Sequence, residues 1–430
     1  MFVLAGNSHA AKTTSYKVVL PFYAYAAVAL LVASFILFFS YTDITSHYFH
    51  PHTLALTHTM ALGWGTMMIL GASHQLVPVL IEGELFSNTL AYLTFLLAAI
   101  GIPFLCISFY SFNLGWPAHF GACCIVTAVI LYLVNLGIST LKSHHENVHA
   151  VFVLTAVCWL LATVIAGLFL LINFEHPFLA KSSIQYLPLH AHLGIIGWFL
   201  LMVMGVGSRL IPMFLISKYE NPQLLWKVYA FLNGGLILFV VNFIYFRIPF
   251  LQYLSILFIT ISILIFAFYC RTAYKERIRK KVDEQMKISL LSVLMMVLPI
   301  ICLLLVVTFM LISGTERIDL VIAYGFIIFF GWITAIIFGM TFKTLPFIVW
   351  NKVYRQLAGK GKTPNPKDLF NPQVFHWMIL VYIAGFAGFT AGIFLKYQLL
   401  LQGAAILLLL SSFLYNFNVI KIFFHKPVLR

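Results

Sequence analysis

The chain has 430 residues, of which 62% are hydrophobic and only 9% charged, and its mean hydropathy is +1.00. No water-soluble core of this size tolerates such a composition, so the solvent for this chain is lipid and a soluble domain is excluded. The net charge of +14 does not point to nucleic acid, because the basic residues are not spread as a binding face requires; they follow a membrane topology instead.

A helix crossing about 30 Å of hydrocarbon needs about 20 apolar residues. Runs of that length predict spans at roughly 18–40, 54–80, 86–110, 116–141, 149–174, 187–215, 226–246, 249–270, 288–313, 319–348, 374–395 and 398–424. The expected fold is all-α, a polytopic membrane protein of about twelve transmembrane helices forming a single integral membrane domain. The first run, from Val18 to Phe39, is too long for a signal-peptide core and no small-residue cleavage site follows it, so it reads as a retained helix. Cys106, Cys123, Cys124, Cys158, Cys270 and Cys302 all fall inside apolar runs without CxxC spacing, which suits packing and not disulfides or metal ligation.

Alternate loops differ sharply in charge. Lys12, Lys17, Lys142, Lys218, Lys227, the seven cations from Arg271 to Lys287, the five from Lys352 to Lys367, and Lys421, Lys426 and Arg430 fall on one side, twenty of the 26 Lys and Arg. The other side has Lys181, Arg247, Arg317 and Lys396. The positive-inside rule then places both termini in the cytoplasm, and the expected location is a bacterial inner membrane.

Self-comparison finds HTMALGWGTMMILGASHQLVP from His58, HLGIIGWFLLMVMGVGSRLIP from His192 and FIIFFGWITAIIFGMTFKTLP from Phe326. Gly63-Trp64, Gly197-Trp198 and Gly331-Trp332 align, as do Gly71, Gly205 and Gly339, and Pro78, Pro212 and Pro346. The pattern predicts three four-helix repeats, about 18–141, 149–270 and 288–424, in a pseudo-threefold arrangement with the repeated helix second in each. Small residues let helices approach closely in lipid, so the repeat speaks for architecture and not, by itself, for chemistry.

All twelve carboxylates fall in loops or at span ends. That weighs against a carboxylate-lined proton pump or an ordinary proton-coupled transporter. Histidine is what remains inside: His58 on span two, His190 and His192 on span six, and His119 at the start of span four, all toward the side expected to face outward, with His47, His50 and His52 just ahead of span two. Neutral imidazole is a common ligand of haem iron, copper and zinc. His58 and His192 share one repeat position, where the third unit has Phe326; His190 aligns with Leu56 and Tyr324. Two residues apart on a helix, His190 and His192 point about 200° from each other, so only one of them readily serves a given metal. His74, sixteen residues beyond His58, belongs to the opposite end of its helix. Histidines near helix ends also occur as interfacial or hydrogen-bonded residues, and that reading stands beside the metal one. Gln75, Arg209 and Lys343 share another repeat position, where two cations either reach the headgroups or meet an anion.

Twelve spans, cytoplasmic termini and three four-helix units resemble subunit I of the haem–copper oxidase superfamily, including its nitric oxide reductase branch. HTMALGWGTMMILGASHQLVP is similar to the second helix of that branch, which implies His58 as an axial haem ligand; HLGIIGWF is similar to the sixth, which implies His192 as a ligand of a second, non-haem metal. The chain departs from the family elsewhere. The seventh helix, WKVYAFLNGGLILF, has no histidine, the tenth offers Tyr324 and Phe326 in place of two haem-ligating histidines, and the glutamate expected after the span-six histidine is missing. GSRLIPMF, from Gly207 to Phe214, is also similar to a run in the twelve-span haem and copper membrane proteins associated with nitric oxide stress.

The resulting expectation is a haem-binding membrane protein acting in respiratory electron transfer or in handling nitric oxide or oxygen. The haem would be b-type, with copper or another metal as a second cofactor. Its cofactor-binding residues are His58, His192 and His190, and its metal-binding residues His58, His192 and His119; the resemblance implies an incomplete oxidoreductase centre. Expected partners are the lipid bilayer, other respiratory subunits or an electron donor, and no nucleic acid. Two alternatives stand beside it: a cofactor-free small-molecule transporter in which Arg209 and Lys343 meet an anion, and a non-catalytic partner of a respiratory oxidase.

Overall fold

The computed structural model describes residues 14–81, 83–142, 147–355, 357 and 363–427. Lys12, Glu82, His144, His145, Glu146, Lys360, Lys362 and Arg430, which the sequence assigns to loops or termini, lie outside them.

Among the described residues twelve helices are long and apolar enough to cross a membrane: α1 (Tyr16–Phe39), α2 (Pro51–Leu80), α3 (Asn88–Tyr110), α4 (Trp116–Leu141), α5 (Val148–Glu175), α6 (Ser183–Leu215), α7 (Pro222–Phe246), α8 (Pro249–Lys275), α9 (Glu284–Ser313), α10 (Ile318–Tyr354), α11 (Pro372–Leu395) and α12 (Gln398–Phe423). All six cysteines are free. The helices overrun the apolar windows mainly where a polar end continues as helix: α8 runs on past Arg271 and α10 past Trp350. Their starts are set by side-chain caps. Ser87 accepts from the Leu90 amide, Asn147 from Ala150, Asn221 from Leu224 and Asp283 from Met286, each satisfying an amide that the first helical turn leaves free.

The three helices that carry the Gly-Trp pattern are the interior ones. The most apolar windows of α2, α6 and α10 are 72%, 56% and 83% buried, and no other helix exceeds 50%. Around them α3 packs on α4, α7 on α8 and α11 on α12, while α1 meets α12 and so closes the ring; the Asn416 amide donates to the Ala27 carbonyl across that seam.

The aligned glycines do one job. A Cβ on Gly71 would sit 2.7 Å from Phe22 Cβ on α1, and one on Gly205 would sit 2.5 Å from Phe152 Cβ on α5; Gly339 lies as closely against Ser289 on α9. Each interior helix therefore touches the helix before it at a distance only glycine permits. The aligned tryptophans tie the interior helices to one another. Trp64 Nε1 on α2 donates to Thr334 Oγ1 on α10 at 3.1 Å, and Trp198 Nε1 on α6 donates to Thr66 Oγ1 on α2 at 3.0 Å. Thr66 and Thr334 both stand two residues after an aligned tryptophan, and the third such position is Leu200, which has no hydroxyl to offer Trp332.

One backbone feature has no signature in the hydrophobic pattern. Thr59–Thr66, Leu193–Leu200 and Ile327–Ile333 are π-helical, each directly after the aligned position held by His58, His192 or Phe326. A π-turn inserts an extra residue and widens the helix, a form concentrated at functional sites.

Candidate cofactor site between the interior helices

A cavity of about 850 Å³ opens on the side away from the Arg271–Lys287 loop and reaches down between α2, α5 and α6 on one flank and α6 to α10 on the other. Its volume falls in the range of small-molecule and cofactor sites. Its lining is mostly apolar, with Met60, Leu62, Trp198, Phe199, Phe329 and Phe330 among the residues. His58, His190, His192 and Tyr324 all line it.

The histidines sort into two pairs. His58 on α2 faces His190 on α6, with ring centroids 6.3 Å apart and planes 18° from parallel. His192 turns the other way, as a separation of two residues on a helix requires, and its Nε2 lies 3.3 Å from the Tyr324 hydroxyl on α10. These are one and the same pair of aligned positions used twice, since His58 aligns with His192 and His190 with Tyr324. At the third occurrence the partners would be Phe326 and Leu56. Phe326 instead packs into an aromatic cluster with Phe330, Phe386 and Phe389, at ring separations of 5.0, 5.9 and 4.6 Å.

Each ring has one nitrogen committed. A carbonyl only accepts, so His58 Nδ1 donates to Leu54 O (2.8 Å), His190 Nδ1 to Thr163 O (3.1 Å) and His192 Nδ1 to Pro188 O (2.7 Å). The tautomer is thereby fixed and Nε2 keeps its lone pair. Among the described residues no hydrogen bond reaches Nε2 of His58 or His190, whereas that of His192 accepts from Tyr324. An imidazole held by a backbone carbonyl with its far nitrogen free is the usual state of a metal-ligating histidine.

The separation of the first pair also suits ligation. Two imidazoles bound on opposite sides of one ion, with metal–nitrogen distances of about 2.0–2.1 Å, place their ring centres about 6.3–6.5 Å apart. The first pair stands at 6.3 Å; the second is closed by its own hydrogen bond. The ring separation and the Nδ1 hydrogen bonds are compatible with two imidazoles sharing one iron between α2 and α6.

Gly167 on α5 makes this arrangement possible, and the sequence pattern did not single it out. A Cβ there would lie 2.9 Å from His190 Cε1 and 3.4 Å from Nδ1. The glycine clears the approach of the ring to the carbonyl of Thr163, one turn earlier on α5. A Gly167→Ala substitution is expected to push the ring off that carbonyl; if His190 holds a haem, the affinity should fall about tenfold or more, on the scale of outer-shell changes at metal sites, with an unchanged size-exclusion profile. Wild-type affinity in that variant would show that the close approach is incidental.

His119 does not join the site. Its Nδ1 donates to Gly115 O at 2.9 Å and its Nε2 lies 4.0 Å from Glu175, at the rim of α4 and α5 and outside the cavity lining. His74 lies at the other end of α2, buried between Phe22 and Tyr132, with Nδ1 donating to Leu70 O. At the start of α2, His50 Nδ1 accepts the His52 amide and His52 Nδ1 contacts Asp43 at 2.9 Å, so these three donors lie together, outside the cavity lining. The cations of the transporter alternative both have carboxylate partners: Arg209 donates to Glu220 at 2.7 Å, and Lys343 is bonded to Asp283, which Arg279 shares at 3.1 Å. At the mouth the Tyr48 hydroxyl donates to Glu316 at 3.0 Å, joining the α1–α2 and α9–α10 loops; partial burial and that carboxylate push the phenol up to about 12, so the hydrogen bond persists at physiological pH.

No family model matches the chain, and no curated protein does.

Proposed function

We propose that this protein is a haem-binding integral membrane protein whose iron is held by His58 of α2 and His190 of α6, on a scaffold of haem–copper oxidase subunit I type. The observation that carries the reading is the facing pair itself: two imidazoles 6.3 Å apart, each with Nδ1 tied to a carbonyl, across an apolar cavity. A haem there would be held by His58 and His190 and would supply one-electron redox chemistry. With both imidazoles committed to it, electron transfer would be favoured over direct binding of nitric oxide or oxygen. The chain's own residues fix the two rings, exclude water from the depth of the cavity and set the dielectric around the site.

The role proposed for His192 follows the same geometry. Bonded to Tyr324, it is a packing and hydrogen-bonding residue of the second flank and not a metal ligand. The charge distribution supports an orientation with both termini cytoplasmic and the cavity mouth on the outer side. The pairing of Arg209 and Lys343 with carboxylates weighs against the transporter alternative.

The test is the visible spectrum of protein purified from haem-replete cells, oxidised and dithionite-reduced. A Soret band with sharp reduced bands of a low-spin haem is expected, and a colourless protein would end the reading. In His192→Phe the same spectrum is expected with its position unchanged; loss of the low-spin bands there would return His192 to the ligand set.

A further inference from the structure

Three metal-capable side chains meet where the chain enters α2, outside the cavity lining. Asp43 lies in the single helical turn Tyr41–Ile44, and His50 and His52 flank Pro51, the first residue of α2. One donor atom from each, a carboxylate oxygen and two ring nitrogens, falls within 4.8 Å of the other two. The backbone between them is held in place. The Ser46 hydroxyl donates to Asp43 O at 2.6 Å, while the Thr53 hydroxyl and the His50 amide both donate to His47 O, at 3.0 and 3.1 Å. The His52 ring is set further by stacking on Tyr110 of α3, with centroids 4.2 Å apart.

Helix capping does not account for the cluster. Ser, Thr, Asp and Asn are the residues preferred at this position, whereas here His50 holds it and reaches the His52 amide only at 3.3 Å. His52 Nδ1 and Asp43 Oδ2 stand 2.9 Å apart, a spacing that serves a shared proton and equally two neighbouring ligands of one ion. With metal–ligand distances of about 2.0–2.1 Å, adjacent donors around an ion are about 2.9–3.4 Å from each other. The His50 nitrogen has at most about 1.5 Å further to close, which rotation of a partly exposed ring covers without backbone movement. Among the described residues these side chains make no other hydrogen bonds, so an ion would displace one shared proton and one long cap bond.

We infer that Asp43, His50 and His52 bind a single Zn2+ ion, with the remaining coordination position left to water. Two imidazoles and one carboxylate are the donor set of open zinc sites, while Mg2+ and Ca2+ favour oxygen ligands throughout. His52 and Asp43 are 24% and 43% exposed, which gives the ion a path from solvent. It takes the place of the proton between them, and that proton passes to water. The ion closes the loop from Asp43 to His52, nine residues along the chain. Ile44 and Tyr48 within that loop, and Thr53 and Leu54 just beyond it, line the cavity, and Tyr48 bonds Glu316. Occupancy therefore fixes one wall of the cavity. The site shares no residue with the His58–His190 pair and does not rest on the haem reading.

The full chain, purified in detergent without a polyhistidine tag and stripped with a chelator, is titrated with zinc chloride by calorimetry, and the metal retained after dialysis is counted by mass spectrometry. Wild type is expected to keep one zinc per chain and to gain thermal stability with Zn2+ but not with Mg2+. His50→Ala combined with His52→Ala should lose both the zinc and the stabilisation. Asp43→Asn, which preserves the size of the side chain, should weaken binding at least about tenfold, and His47→Ala should behave as wild type. Zinc-edge X-ray absorption of the loaded wild type should show two imidazoles with oxygen ligands. A wild type that retains no zinc, equal zinc affinity in the double variant, loss of the zinc in His47→Ala, or a shell with any other number of imidazoles overturns the inference and leaves His52 and Asp43 as a hydrogen-bonded pair.

Discussion

His190→Ala protein, purified in parallel with wild type, is expected to lose the six-coordinate low-spin spectrum and to retain at most about a tenth of the haem, since even outer-shell partners of metal ligands change affinity by about 10–100-fold. The expectation is specific to His190. Its ring faces His58 with Nε2 free, whereas His192, two residues on, has its Nε2 bonded to Tyr324. His58→Ala should give the same result, and the double variant should be no worse than either single one, because an iron with one imidazole gone has already lost the arrangement. Folding is not expected to suffer. Both rings are lost from the wall of an existing cavity, and each surrenders one hydrogen bond, to Leu54 O or to Thr163 O. A His190→Ala variant with wild-type haem content and spectrum, beside a His192→Ala variant without them, would reverse the assignment of the two histidines.

A large loss of stability is expected on substitution of Gly205. A Cβ at this position would lie 2.5 Å from Phe152 Cβ and 3.1 Å from its Cγ, and Phe152 is itself only 1% exposed. The clash falls on the root of the side chain, so rotation about χ1 does not relieve it and α5 and α6 must separate. Alanine gains about 1 kcal/mol of helix propensity over glycine, while overpacking costs about 1–3 kcal/mol, and more where backbones are forced apart. Valine adds bulk to the same point. Gly205→Val is accordingly expected to lower the thermal midpoint in detergent by several degrees and to reduce folded yield, with Gly205→Ala intermediate. Phe152→Ala should rescue part of the loss in a double-mutant cycle, a coupling that appears only if the two residues touch. Independent, additive effects would place the cause elsewhere.

How much of this was legible beforehand divides along physical lines. Helix number and position follow from the length of apolar runs, a demand the bilayer makes of each span by itself; hence twelve predicted spans match twelve observed helices, with differences only where polar ends such as Arg271 to Lys275 continue as helix. The Gly-Trp helices could be recognised as a set, and the structure places all three in the interior. The pairing of side chains was less accessible. Alignment suggested His58 and His192 as comparable residues, yet the two do not meet each other: His58 meets His190, and His192 meets Tyr324. His119 lies at the expected depth yet outside the cavity, because depth does not fix the rotation of α4. The π-helical turns at Thr59–Thr66 and Leu193–Leu200 rest on a change of hydrogen-bond register that residue types do not announce. Gly167 was hidden for a simpler reason. A glycine in a transmembrane helix ordinarily signals helix–helix contact, and here the group it admits is a ring from α6.

The central claim is that two imidazoles, one from α2 and one from α6, hold a single haem iron. Near-infrared magnetic circular dichroism of the oxidised, purified protein tests it most directly, because the charge-transfer band reports the identity of both axial ligands. A band characteristic of bis-imidazole ligation, present in wild type and in His192→Phe and absent from His58→Ala and His190→Ala, is the predicted result. A haem-free protein, a five-coordinate high-spin signature, or a bis-imidazole band that survives loss of His190 would contradict it.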